Sequence, residues 1–203
     1  MSANKLFIMD FDGTVADSYR LSIESIAQYK KTKIEDRDGL RRLPTREVIR
    51  KFNLSVIDLI RMIFFVRREF HRQINEIKPA SGIFEAMRAI KSKGAAIHLI
   101  SSNSRRNIED YFKSHGASDL LGDVEVCYTI FGKARNVARI VGESGLDKSN
   151  IFYVGDETRD IEAAKKVGIK SVSVPWGYNH SDILAQYKPD HMLTKAGDLV
   201  GLV

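Results

Sequence analysis

The chain has 203 residues, 43% hydrophobic and 29% charged, an ordinary globular composition that excludes a disordered polar chain and suits one domain with a small insert. Lysine and arginine number 32 against 26 acids, a net charge of +6 that raises anionic substrates or nucleic acid as partners without choosing between them. The single cysteine, Cys127, rules out an intrachain disulfide and suits a reducing compartment.

The first apolar run, Leu6-Phe7-Ile8-Met9, does not alternate and is closed by Asp10. This pattern predicts a buried strand in a parallel sheet covered on both faces. Asp10 also cuts the run too short for the apolar stretch of a signal peptide. The longest apolar run, Met62 to Val66, has five residues flanked by Arg61 and Arg67-Arg68, far short of a membrane span. A cytoplasmic protein with no membrane partner is expected.

From Ala16 to Lys78 the pattern is helical throughout. Ile23, Ile26 and Ala27 mark one helix, and Pro44 opens a second carrying Val48, Ile49 and Phe52. Leu59, Ile60, Ile63, Phe64, Phe70 and Ile74 mark a long third, with Pro79 closing the segment. Roughly 80 residues thus separate the first strand from the next, where a crossover needs far fewer. The chain therefore divides into a helical insert over 15–78 and a core made of 1–14 and 79–203.

Beyond Pro79, strands and helices alternate. Ile83, Ala86, Met87 and Ile90 share a helical face that Gly94 stops, and Ala95 to Ile100 reads as a strand. Ile108, Tyr111 and Phe112 mark a helix ending near Gly116, and Val137, Ile140 and Val141 another. Ile151 to Val154 is a strand, Ile161, Ala164 and Val167 form a helix ended by Gly168, and Ser171 to Val174 is a further strand. The order predicts an α/β fold, a doubly wound parallel sheet with an inserted helical cap.

Ligands of such sheets bind beyond the carboxyl ends of the strands. The first strand delivers Asp10-Phe11-Asp12-Gly13-Thr14, the second Ser101-Ser102-Asn103, and the third Gly155-Asp156-Glu157-Thr158-Arg159-Asp160. Lys133, after Gly132, opens the helix leading into the third strand. Four acids, a hydroxyl and an ammonium are therefore expected to meet at one edge. Clustered carboxylates need a cation, and hard oxygen ligands without a His or Cys cluster favour Mg²⁺. Beside such a metal one carboxylate can attack phosphorus, and a second can protonate the leaving oxygen and then activate water. A hydroxyl and an ammonium can hold the equatorial phosphoryl oxygens.

These motifs, in this order, resemble the haloacid dehalogenase superfamily, nearest its phosphoglycolate-phosphatase-like group with a small helical cap. Asp10 to Thr14 followed by Ala16-Asp17-Ser18 is similar to the first motif, Ser101 to the second, Lys133 to the third and Gly155 to Ala164 to the fourth. Pro175-Trp176-Gly177-Tyr178 resembles the loop that follows the next strand in that group. The resemblance implies Asp10 as nucleophile, Asp12 as general acid/base with its main-chain carbonyl on Mg²⁺, and Ser101 and Lys133 on the phosphoryl group. It implies Asp10 and Asp156 as metal ligands, with Asp160 supporting or completing that site. Ser102 and Asn103 are expected to add secondary substrate contacts. The third motif, Gly132-Lys133-Ala134-Arg135-Asn136, lacks the prolines many relatives carry, which makes Arg135 a fallback for Lys133.

The resemblance thus implies a Mg²⁺-dependent phosphatase of a small phosphorylated metabolite. A sugar phosphomutase of the same superfamily, or a non-catalytic phosphate-sensing or protein-binding module, is the alternative. A nucleic-acid partner is not expected, since no recognition motif and no interleaving of basic and aromatic residues is present. The positive charge sharpens the substrate reading: residues 15–78 hold 15 lysines and arginines against nine acids, leaving 17 of each elsewhere. Arg41, Arg42 and Arg46 in this basic cap are expected to meet the anionic substrate.

Overall fold

The computed structural model describes residues 3–127 and 132–203. Its centre is one parallel sheet of six strands: β1 (Leu6–Asp10), β2 (Ala96–Ser101), β3 (Asp123–Val126), β4 (Ile151–Gly155), β5 (Lys170–Ser173) and β6 (His191–Met192). Their spatial order is β3-β2-β1-β4-β5-β6, so β1 lies between β2 and β4 and the winding reverses beside it. That reversal opens a crevice at the carboxyl end of β1, where Asp10 stands.

Every residue of β1 is buried, as expected of a strand covered on both faces. Phe7 and Met9 point into one core with Ile83, Met87 and Ile90, while Leu6 and Ile8 point into the other with Val137, Ile140 and Ala164. The two-residue period of the pleat assigns these sides.

Four helices fill the insert: α1 (Tyr19–Tyr29), α2 (Arg37–Arg41), α3 (Thr45–Lys51) and α4 (Val56–Arg72). Ser55 and Asp58 form a reciprocal cap at the start of α4, which fixes where the longest helix begins. Five more follow: α5 (Ile83–Ser92), α6 (Arg105–Ser114), α7 (Lys133–Ser144), α8 (Thr158–Val167) and α9 (Ser181–Gln186). Ile74 lies past the end of α4, and β3, β6 and α2 are elements the hydrophobic pattern did not mark.

The two ends of the insert run together as a stem. Asp17 N donates to Lys78 O and Ala80 N to Val15 O, each at 2.9 Å, with Ala16 bridged to Pro79. Farther along α4, Phe70 is fully buried between Phe11 and Tyr111, with ring centroids 5.6 and 5.9 Å away. The cap is therefore anchored into the main core by one aromatic side chain. Phe70→Ala is expected to lower unfolding stability by about 3–5 kcal/mol, read as a drop in the urea midpoint at unchanged slope.

Candidate active site

The site grows from the turn after β1. Phe11 N donates to Asp10 Oδ1 at 2.8 Å, and Val15 N and Ala16 N both close on Phe11 O at 2.9 Å. Gly13 takes a positive φ of 79° in this turn, and a Cβ there would lie 2.2 Å from Asp156 Oδ2. A Cβ on Gly177 would approach the same oxygen to 2.2 Å. Two glycines thus let two loops close around the Asp156 carboxylate. Asp156 Oδ1 accepts from Thr14 Oγ1 at 2.7 Å, and Oδ2 accepts from Tyr178 N at 2.6 Å.

Lys133, the first residue of α7, is buried and donates to Asp10 Oδ2 and, at 2.9 Å, to Asp160 Oδ1. Asp160 also accepts from Tyr153 OH at 3.1 Å and, through Oδ2, from Glu157 N at 3.0 Å. It caps α8 and braces Lys133 together. Carboxylate oxygens of Asp10, Asp156 and Asp160 come within 4.8 Å of one another.

Three buried acids against one lysine leave excess negative charge. Burial pushes the Asp10 carboxyl up from 3.8 to about 7; Lys133 opposes this and Asp160 adds to it. Burial, then the repulsion of Asp10, raises Asp156 well above the ordinary range. For Asp160 burial also raises the pKa, but Lys133 and Arg159 outweigh it and hold the group below its usual value. Burial works against the Lys133 charge, yet Asp10 and Asp160 raise its pKa well above normal. The cluster is an all-oxygen donor set, seated where two glycines open a cradle. That chemistry fits a hard divalent cation.

Asp12 stands apart from this cluster. Its Oδ1 accepts from Ser18 Oγ at 3.0 Å and its Oδ2 from Ser101 Oγ at 3.1 Å, while Asn103 Nδ2 reaches both at 3.3 Å. Burial raises its pKa against these bonds. Ser101 is fully buried and also accepts from Asn103 N at 2.8 Å, so its hydroxyl is committed to Asp12 and to the backbone. Ser102 and Asn103 line the cavity beside Asp10 and Asp12. The sequence placed Ser18 and Thr14 in the first motif but gave neither the bond of Ser18 to Asp12 nor the part Thr14 plays in bracing Asp156.

The cap arginines are placed differently from the expectation. None of Arg41, Arg42 and Arg46 lines the cavity. Arg41 donates to Pro175 O at 3.0 Å and lies over the Tyr19 ring. Arg42 is exposed and pairs with Asp38 and Asp182, and Arg46 is exposed on α3. The insert's own polar groups fasten onto the core instead: Thr45 Oγ1 donates to Glu157, and Asn179 Nδ2 donates to Leu43 O at 2.9 Å. Two other arginines do line the cavity: Arg67 from the insert, whose Nε donates to Ser102 O at 2.7 Å, and Arg159 from the core, paired with Glu157. No sequence pattern separated Arg67 from its neighbours. Single replacement of Arg42 or Arg46 by Ala is expected to change KM by about twofold or less, the range of surface substitutions, in steady-state assays. Neither Arg135, the fallback, nor Lys133 is among the cavity-lining residues, but Lys133 is bonded to Asp10, which is. Cys127 is buried beside Asn136 Nδ2, and burial pushes its thiol up to about 11, which leaves it structural.

A parallel sheet wound about a switch point, with carboxylates at the end of its central strand and a helical insert above them, defines a class of hydrolase. The model of the haloacid dehalogenase-like hydrolases matches residues 7–174, and the chain belongs to that family. It is 32% identical, over 97% of its length and 95% of the relative's, to a phosphoglycolate phosphatase of Synechococcus elongatus. It is 21% identical, over 97% and 95%, to a pyrophosphatase, PpaX, of Halalkalibacterium halodurans. The crystal structure of a predicted phosphoglycolate phosphatase from Haemophilus somnus superposes with a TM-score of 0.76 at 19% identity, covering 100% of this chain and 99% of that one, and shares the fold. The chain is thus an enzyme of the phosphatase type within its family.

Proposed function

We propose that this enzyme is a Mg²⁺-dependent phosphatase that hydrolyses a small phosphate monoester through an aspartyl-phosphate on Asp10. The observation that carries the reading is the pair of carboxylates two residues apart, Asp10 and Asp12, lining one cavity but set in different surroundings. Asp10 lies against Lys133, whose charge keeps it available as a nucleophile. Asp12 lies among neutral donors that hold it in place, with a raised pKa suited to carrying a proton.

Asp10 would attack phosphorus while Asp12 passes its proton to the departing ester oxygen. Once ionised, Asp12 would accept a proton from the water that attacks the aspartyl-phosphate, which frees phosphate and restores both acids. Ser102, Asn103 and Lys133 would hold the phosphoryl oxygens, and Ser101 and Ser18 would orient Asp12. Mg²⁺, held by Asp10, Asp156 and the Asp12 main-chain carbonyl with Asp160 in support, would neutralise the cluster and the phosphoryl charge. Among the described residues no helix is long and apolar enough to cross a membrane, and the lone cysteine is buried and free, which fits work in the cytoplasm.

The test is phosphate release from a panel of phosphoesters with Mg²⁺ and after chelation. Chelation is expected to cut release at least about 100-fold, with recovery on adding Mg²⁺. Release indifferent to chelator would remove the metal from the account.

A further inference from the structure

The cavity above Asp10 and Asp12 has a volume of about 160 Å³, and its composition changes along its length. At the floor are Asp10, Asp12, Ser102 and Asn103, with Glu157 and Arg159, paired with each other, beside them. Arg67 belongs to this end, since its Nε is bonded to the Ser102 carbonyl at 2.7 Å. The cap supplies the opposite walls from α1, α3, α4 and the segments between them: Ile26, Leu43, Val48, Leu54, Met62 and Ile63 among others. Tyr19 and Tyr178 also line it, their rings meeting edge to face at 5.4 Å. Among the cavity-lining residues contributed by the insert, Arg67 is the one cation. Of the other cap arginines, Arg42 and Arg46 face outward, and Arg41 is held by Pro175 O and the Tyr19 ring.

We infer that the substrate is a phosphate monoester whose organic part is apolar and no larger than one ring or a short branched chain, with no second anionic group. This rests on the phosphatase reading and names the substrate class of that same site. A carboxylate or second phosphate on the leaving group would have to leave water for the aliphatic recess of the cap, while the two arginines of the lining are held at the floor, Arg67 on the Ser102 carbonyl and Arg159 on Glu157, which is unfavourable. An apolar group entering the same space gains from burial, by about fourfold in kcat/KM for each methylene removed from water. The volume sets an upper limit on size: a cavity of about 150 Å³ lined by Leu, Ile and Phe accepts benzene, and here the phosphoryl group on the floor takes part of the space. The two ends also divide the labour. The polar floor recognises the phosphoryl group that all candidate substrates share, and the cap recess chooses among leaving groups.

The experiment compares kcat/KM of the Mg²⁺-loaded enzyme for ethyl, propyl, butyl and benzyl phosphate against phosphoglycolate and pyrophosphate. The alkyl esters have leaving groups of similar basicity, so their differences report the recess. The expected result is a rise of about fourfold per methylene until the recess fills, with butyl or benzyl phosphate at least about 100-fold above phosphoglycolate. A flat alkyl series, or a preference for phosphoglycolate or pyrophosphate, would overturn the inference and leave the phosphatase reading standing. Absence of Mg²⁺-dependent release from every one of these esters would overturn the phosphatase reading, and this inference with it.

Discussion

Asp10→Asn is expected to lower phosphate release by about 10⁴-fold or more, the scale seen when a nucleophile is removed, while the fold remains. The side chain keeps its size, and its amide oxygen can still accept from Phe11 N, as Asp10 Oδ1 does at 2.8 Å. Lys133 keeps Asp160 as a partner at 2.9 Å, so no buried cation is abandoned. The pH dependence of stability sharpens this prediction. Asp10 titrates near 7 in the fold against 3.8 for an exposed carboxyl, because burial disfavours its charge. A raised carboxyl pKa means that the native state binds more protons than the unfolded chain between those values, so this group makes stability fall as pH rises from about 4 to about 7 and then level off. The Asn variant lacks that term. Without metal, its stability relative to the parent should improve over this interval, measured by urea unfolding at a series of pH values.

Lys133→Met should produce the largest loss of stability at the site. Lys133 is the buried cation between Asp10 and Asp160, and deleting one member of a buried ion pair leaves an uncompensated charge at a cost of about 3–5 kcal/mol. Part of the loss should return with Mg²⁺, which would supply the missing positive charge and bind the folded state selectively. Thermal unfolding with and without Mg²⁺ separates the two contributions. A variant as stable as the parent without metal would mean that Lys133 does not balance the acids.

The catalytic floor is the most legible part of the chain, and the reason is local. Asp10, Asp12, Asp156 and Asp160 each follow a short apolar strand, Lys133 opens a helix, and parallel topology obliges strand ends to meet. What stayed hidden depends on partners distant in sequence. β3 carries Asp123 and Glu125 within its four residues, so it shows no apolar run; its pairing of His98 with Asp123 and Leu99 with Val124 makes it a strand. β6 is two residues long, and in α2 Leu40 is the one buried residue. The cap misled in a more instructive way. Charge counted along 15–78 does not say which way a side chain faces, and Arg42 turns to Asp38 and Asp182 on the outside. Likewise Val48 and Ile63 are legible in the sequence only as apolar positions of two helices, whereas the fold makes them walls of a cavity that ends on Asp10. Arg67 reaches the site because Phe70, one turn along α4, is locked into the core beneath it.

The central claim is covalent catalysis by Asp10. Mixing Mg²⁺-loaded enzyme with its most rapidly hydrolysed ester, quenching in acid within the first turnovers and mapping peptides by mass spectrometry addresses it directly. The account predicts a phosphoryl group on the peptide carrying Asp10, located to that residue by fragmentation and absent from Asp10→Asn. Phosphate release with no phosphoryl group on Asp10 at any quench time, together with undiminished release by the Asn variant, would contradict it.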